Sequence, residues 1–225
     1  MDPHDPAYKG QADYTRALLN AYDPIVIGFV SWFVWRTPIE PVLDNYRQHI
    51  SDRHLDVGPG TGYFIEKSGL PDGSRVTIVD PNQNVLDHTE RRLRRLDITT
   101  VQADVLKPLP VQGPFDSAAL NLVIYCLPGP LSRKATAVAN VAATLAPDGV
   151  LFGSTILGTS GQHTWLARRV LRAFNWRGAF DNLDDTEEGL REILEASFQN
   201  VELKTVGSAA IFSARGPRAR SGPPA

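Results

Sequence analysis

Apolar residues fall in two rhythms along this chain. Between Arg53 and Thr155, short apolar runs alternate with segments whose apolar residues recur at helical spacing. The runs are HLDV (54–57), RVTIVD (Arg75–Asp80), TTVQA (Thr99–Ala103), FDSAALN (Phe115–Asn121) and a run opening at Val150. Their shortness and aliphatic content predict strands. Strands alternating with helices predict an α/β fold, a parallel sheet wrapped by helices. Helices are expected from Pro38 to Ile50, over Gln83–Arg95, over Thr164–Asn175 and over Thr186–Phe198. Thr37-Pro38-Ile39-Glu40 has the form of a capping box with proline at the first helical position. Asn200–Val206 and Ala209–Ala214, joined at Gly207-Ser208, predict a closing hairpin. The Gly-, Pro-, Arg- and Ser-rich stretch Arg215–Ala225 predicts a disordered tail.

One junction carries chemistry. His54-Leu55-Asp56-Val57-Gly58-Pro59-Gly60-Thr61-Gly62-Tyr63-Phe64 reads as a buried strand, a tight glycine turn and a helix start. Glycines at alternate positions remove each Cβ where backbone must touch a ligand. Free N–H groups of the turn and the helix N-terminus suit a carboxylate or phosphate. The dinucleotide fingerprint G-x-G-x-x-G needs a third glycine where this chain has Tyr63. Asp80 ends the second run, and a carboxylate there can accept both hydroxyls of a ribose. With Pro81 and Asn82 after it, Asp80 also suits a helix N-cap, and the two roles are compatible. Ligands in open α/β sheets lie beyond the carboxyl ends of the strands. Asp56, Gly58, Asp80, Asp104 and Asn121 all fall at or near such ends, so one shared pocket is expected.

The G-x-G-x-G turn after an Asp-bearing strand resembles motif I of the class I S-adenosylmethionine (SAM) methyltransferases. The resemblance continues through Asp80, Asp104-Val105, Phe115–Asn121 with the following LVIYCLP (Leu122–Pro128), and LAPDGVLF (Leu145–Phe152). It runs in order over residues 53–156 and is schematic outside them. It implies a seven-stranded Rossmann-like sheet of order 3-2-1-4-5-7-6, strand seven antiparallel, with helices on both faces and N-terminal lid helices. The implied division is a helical extension over 1–50, a SAM-binding domain over 51–214 and a tail over 215–225. SAM is the implied cofactor. Gly58 and Gly60 let the backbone approach its methionine half, and Asp56 positions the amino group directly or through water. Asp80 with Pro81 meets the ribose, Asp104 and Val105 read the adenine, and Asn121 and Leu122 line the sulfonium. The implied activity is in-line methyl transfer, in which proximity and alignment supply much of the acceleration. A general base is needed only when the acceptor arrives protonated.

Composition narrows the setting. With 225 residues and 42% hydrophobic content the chain can bury one substantial core. A net charge of −2 provides no positive field for nucleic acid. The single cysteine, Cys126, forms no internal disulfide, in keeping with a reducing, cytoplasmic setting. The N-terminus lacks the basic and apolar regions of a signal peptide, and the apolar run Ile25–Trp35 is too short to span a bilayer. The arginines of Gln83–Arg95 suit a last helical turn. The acids Asp181, Asp184, Asp185, Glu187 and Glu188 suit a first turn rather than a metal loop, so no metal is expected.

Candidates for the acceptor side are fewer. His163 follows strand five and is the best available base, with a surface or helix-entry role as the alternative. Tyr125 either orients an acceptor or packs in the core. Cys126 lacks a preceding proline and reads as a buried small hydrophobe. Tyr14, Tyr22, Trp32 and Trp35 form either an apolar lid over SAM and a planar acceptor or plain core. No Pro-Pro-Tyr follows Asn121, so the flipped-base clamp of amino-directed nucleic-acid enzymes is missing. A small, partly apolar acceptor is the most economical expectation, as in bacterial small-molecule methyltransferases, some of them linked to natural-product biosynthesis, with O, N, C or S open. Two rivals stay in view: a SAM-fold protein without methyl transfer, serving as a cyclase or binding partner, and a nicotinamide-dependent oxidoreductase.

Overall fold

The aliphatic runs become strands β1 (Arg53–Val57), β2 (Arg75–Val79), β3 (Asp97–Val101), β4 (Phe115–Asn121), β5 (Leu145–Ile156), β6 (Phe198–Val206) and β7 (Ala209–Pro217). They pair in the order β3-β2-β1-β4-β5-β7-β6. The first five run parallel, and β7 lies antiparallel between β5 and β6. Strand order reverses between β1 and β4, which opens a crevice beyond their carboxyl ends. The computed structural model describes residues 34–160 and 162–218. Tyr14, Tyr22 and Trp32 lie outside the described residues.

Both faces of the sheet are covered, by helices α1 (Ile39–His49), α2 (Tyr63–Lys67), α3 (Gln83–Arg92), α4 (Leu131–Ala142), α5 (Trp165–Trp176) and α6 (Glu187–Glu195). Side chains alternate across a strand, so adjacent residues feed different cores. Leu120 joins Leu55, Val57 and Leu151 beneath Val138 and Val141 of α4 and Leu190 and Leu194 of α6. Its neighbour Ala119 points to the other core, where Phe152 and Ile78 meet Leu43 and Tyr46 of α1, Phe64 of α2 and Leu86 of α3. A third cluster joins Val34, Trp35, Tyr125 and Ile156 to Ala167 and Leu171 of α5. At roughly 25 cal/mol per Å² of buried apolar surface, these layers supply the main favourable term of folding.

Pairing moves several expected boundaries. β3 covers Asp97–Val101 instead of Thr99–Ala103, because β2 pairs it residue by residue from Arg75↔Asp97 to Val79↔Val101. That register frees Ala103 and Asp104 from the sheet. α3 stops at Arg92 rather than Arg95; Arg92 pairs with Glu66 at 2.9 Å, and Arg95 with Asp72 at 3.1 Å. The expected capping box does not form. Thr37 Oγ1 donates instead to the carbonyls of Trp35 (3.2 Å) and Val206 (3.0 Å), tying the entry of α1 to the hairpin. Residues 215–217, expected in the tail, belong to β7, because Arg215 pairs with Val150 on one side and Asn200 on the other. Thr164 and Thr186 do cap their helices, accepting from Ala167 N (3.0 Å) and Gly189 N (2.9 Å).

Candidate functional site

The glycine turn hangs from β2: Gly58 N donates to Val79 O at 2.8 Å. Gly58, Gly60 and Gly62 have φ of +69°, +59° and +76°, the left-handed region that L side chains enter at a cost. Their bare Cα atoms face different things. A Cβ on Gly58 would stand 2.6 Å from Val123 Cγ2, and one on Gly62 2.9 Å from Thr89 Cγ2. Only at Gly60 would a Cβ meet open space. The expectation that all three clear room for a ligand therefore narrows to Gly60, with Gly58 and Gly62 admitting neighbouring side chains of the protein. Gly62 lets the turn lie close against Thr89 of α3 and Leu93 just after it.

Above this turn lies a cleft enclosing about 810 Å³ including its open mouth. Its floor and one end are formed by Val57, Gly58, Gly60, Asp80, Pro81, Ala103, Asp104 and Val105. Asp80 Oδ1 accepts from Asn82 N at 2.7 Å, while Asn82, not Asp80, caps α3 by accepting from Asn84 N at 2.9 Å. Burial pushes the Asp80 carboxyl up to about 7, with the Asn82 hydrogen bond opposing. Asp104 Oδ1 accepts from Leu106 N at 2.9 Å, and Val105 O from Asn140 Nδ2 at 2.8 Å, so both residues are held at the cleft edge.

The opposite wall is Leu122, Val123, Cys126, Leu127 and Pro128. Leu122 has φ +57°, a strained setting for a branched residue, and donates its N–H to Ser154 O at 2.7 Å. Such strain concentrates at binding sites. The 3₁₀ turn Ile124–Cys126 rotates successive side chains by about a third of a turn. It buries Tyr125 against Phe180, ring centroids 4.5 Å apart, and leaves half-buried Cys126 in the cleft wall. Burial pushes the Cys126 thiol up to about 12, so it meets the cleft as an uncharged group. The wall role of Val123 and Cys126–Pro128 was not expected; the sequence signal was present in LVIYCLP, but not the turn that sorts its side chains.

Other expected site residues sit elsewhere. Asn121 is buried and accepts from Ser154 Oγ at 2.6 Å. Asp56 is 1% exposed behind the turn and accepts from Tyr46 OH at 2.9 Å. Trp35 packs with Tyr125 and Phe180 rather than in the cleft wall. His163 is buried: Nδ1 lies 2.8 Å from Ser208 Oγ and Nε2 3.0 Å from Leu157 O. Loss of solvation lowers its pKa. It ties the segment after β5 to the hairpin and is not among the residues lining this cleft. Tyr63 and Lys67 do have the Tyr-x-x-x-Lys spacing that a nicotinamide-dependent reductase would need. Yet neither lines the cleft, since Tyr63 lies on Phe64 and beneath Arg92, and Lys67 beside Glu66. Among the described residues, no group of acids, histidines or cysteines is arranged to hold a metal. Nor is any described helix long and apolar enough to cross a membrane.

A doubly wound sheet with its glycine turn, paired downstream acids and antiparallel seventh strand defines a class. A methyltransferase-domain family profile matches residues 55–153, and the chain belongs to the class I SAM-dependent methyltransferases. Among named relatives, it is 34% identical over 207 residues to demethylluteothin O-methyltransferase of Streptomyces thioluteus, covering 91% of this chain and 90% of that protein. It is 35% identical over 188 residues to N-methyltransferase vrtF of Penicillium aethiopicum, covering 81% and 77%. The fold also matches N-methyltransferase NodS from Bradyrhizobium japonicum WM9, solved with S-adenosylhomocysteine. There the TM-score is 0.58 and the identity 19%, over 78% of this chain and 84% of that one. Family membership implies SAM as the methyl donor.

Proposed function

We propose that this enzyme methylates an oxygen or nitrogen of a small, partly apolar metabolite, and that the cleft beyond β1, β2 and β4 holds SAM. The observation that carries the reading is the cleft's lining. Two acids, Asp80 and Asp104, stand at one end, an aliphatic wall at the other, and no Lys or Arg lines it among the described residues. Such a site suits a cationic sulfonium and a neutral acceptor, and disfavours a phosphate-bearing one. The O- and N-methyltransferase names of the relatives support the acceptor class.

The residues fit the donor. Open space at Gly60 admits its methionine half against bare backbone, with Gly58 beside it. Asp80, Pro81, Asp104 and Val105 all line the cleft, which supports Asp80 with Pro81 meeting the ribose and Asp104 with Val105 meeting the adenine. When bound, SAM supplies a methyl group on an electron-poor sulfur, ready for in-line displacement. Leu122, Val123, Cys126 and Leu127 would exclude water from the acceptor side and hold it in line. Deprotonation is left to the acceptor or solvent, since His163 and Tyr125 are engaged elsewhere. Tyr14, Tyr22 and Trp32 are the candidates for covering the acceptor from the 1–50 extension.

The test is incubation with methyl-labelled SAM and a panel of phenols, heteroaromatic hydroxyls and amines, followed by separation of the products. Label in a small-molecule product, with stoichiometric S-adenosylhomocysteine, is expected. Tight SAM binding with no turnover on any acceptor would favour the non-methylating alternative, and transfer only to nucleic acid or protein would overturn the acceptor class.

A further inference from the structure

Away from the cleft, the outer face of α5 carries chemistry that methyl transfer does not use. The five large apolar side chains that stand exposed among the described residues, Trp165, Leu166, Phe174, Trp176 and Leu183, all fall on α5 and the loop after it. Trp165 is 72% and Trp176 88% exposed. At about 3.6 residues per turn, these two stand about three turns apart along the helix and within about 20° of each other around it. Arg169 and Arg172, both exposed, fall between them on the same stripe. Ala167 and Leu171, on the other side of the helix, are buried against Val34, Trp35, Tyr125 and Ile156. The inner face anchors α5, and the indoles and guanidiniums point outward.

Charge narrows what this face can meet. Arg168, Arg169, Arg172 and Arg177 are the only Asp, Glu, Lys or Arg residues between Thr159 and Phe180, in a chain of net charge −2. All four are exposed, and none has an ion-pair partner among the described residues. Arg168 and Arg172 also line a groove with Leu171 and Leu183, and no acid lines it. Guanidiniums beside leucines match the phosphate and upper acyl chain of a phospholipid. A second copy of this chain fits poorly, because a twofold contact would set the four arginines against themselves. A rigid acidic protein would need pockets cut for two indoles on a convex helix. A bilayer interface yields around such rings, and indoles collect there.

We propose that the outer face of α5 is a peripheral docking surface for an anionic phospholipid bilayer. Trp165 and Trp176 enter the headgroup layer, and the four arginines, with the groove beside them, take lipid phosphates. The helix lies flat on the surface and spans nothing. Inward, Phe174 stacks on Phe180 at 4.8 Å, and Phe180 meets Tyr125 at 4.5 Å. Tyr125 directly precedes Cys126 of the cleft wall, so an aromatic layer joins the docking helix to that wall. None of Trp165, Arg169, Arg172 and Trp176 lines the cleft, so docking and cofactor binding are separable.

The test is flotation of the full chain with vesicles of phosphatidylcholine alone and of phosphatidylcholine mixed with phosphatidylglycerol. Binding to the mixed vesicles and not to the neutral ones is expected, with a blue shift of indole emission. Release is expected in about 1 M salt, where the Debye length is about 3 Å. Arg169→Gln with Arg172→Gln should weaken partitioning about 25-fold, at about fivefold per arginine. Trp165→Ala with Trp176→Ala should weaken it by about tenfold or more and remove most of the blue shift. Both double variants should keep the wild-type melting temperature and S-adenosylhomocysteine affinity, because the changed side chains are exposed and outside the cleft. Binding to neither vesicle, equal binding to both, or full binding by both variants would overturn the proposal. So would a dimer that the tryptophan variant dissolves, or single-stranded DNA that displaces the vesicles. A chain that binds the mixed vesicles but no S-adenosylhomocysteine would uphold docking and overturn the cleft reading instead.

Discussion

At the residue scale, Asp80 concentrates the chemistry of the cleft. Its carboxyl is nearly buried and titrates near 7, so its charge state changes within the working range. Ribose hydroxyls donate best to an ionised carboxylate. S-adenosylhomocysteine affinity should therefore be full above about pH 7 and weaken as pH falls through that value, by up to about tenfold per unit. Ligand-free stability has the opposite sign. The folded carboxyl holds its proton between 3.8 and about 7, where the unfolded one has lost it. The folded state binds more protons there, so this group's contribution to stability falls as pH rises through that window. Asp80→Asn should flatten both profiles, which titration calorimetry and thermal melts at several pH values would show. Asp80→Ala should cost about 1–3 kcal/mol of cofactor affinity, the range for a hydrogen bond to a charged group; unchanged affinity would remove Asp80 from the site. The glycines give a paired contrast. Gly60→Val should abolish most S-adenosylhomocysteine binding with a loss of stability near 1–2 kcal/mol, because its side chain fills open cleft at a strained φ. Gly62→Val should mainly lower the melting temperature, since its side chain meets Thr89 and Leu93.

At the element scale, the loops at the carboxyl edge of the sheet are clamped around one buried cation. Lys134 of α4 has no exposed surface and pairs with Asp185 at 2.6 Å, and its ammonium also donates to Asp181 O. Burial pushes the Asp185 carboxyl up, with the Lys134 contact opposing. The Asp181 carboxylate accepts from Gly129 N at 2.7 Å, and Asp181 N donates to Tyr125 O at 3.0 Å. The chain between α5 and α6 is thus stitched to the segment that forms the aliphatic cleft wall. Lys134→Met should destabilise the fold by about 3–5 kcal/mol by leaving Asp185 buried and unpaired. Adding Asp185→Leu should recover much of that loss, measured by denaturant unfolding. No recovery would mean that the cost lies in packing around α4 rather than in the stranded charge. Of the acidic cluster in the sequence, Asp185 and Asp181 serve the clamp, Glu187 and Glu188 stand in the first turn of α6 behind its cap Thr186, and Glu187 accepts from Thr205 Oγ1 at 2.6 Å.

At the scale of the whole molecule, the sheet's far edge depends on residues that composition alone assigns to a tail. Arg218 N donates to Ser197 O at 2.8 Å, and its guanidinium to Phe198 O at 3.0 Å, closing β6 and β7 together. A chain cut after Ala214 should melt well below one cut after Arg218, and equal melting temperatures would contradict the pairing of residues 215–217. How much was legible beforehand follows from the range of the forces involved. The glycine turn, the acids Asp80 and Asp104 after the second and third strands, and the strand–helix alternation are local patterns, so the sequence by itself determined the sheet class, the methyltransferase family and that Gly58, Gly60, Asp80 and Asp104 share one cleft. Tertiary structure alone decided which side chains face the cleft. Strand pairing released Ala103 and Asp104 from β3, and a 3₁₀ turn sent Tyr125 inward and Cys126 outward. Packing across ten residues of sequence carried Tyr46 to Asp56. Orientation in those cases is set by neighbours distant in the chain, and no local spacing encodes it.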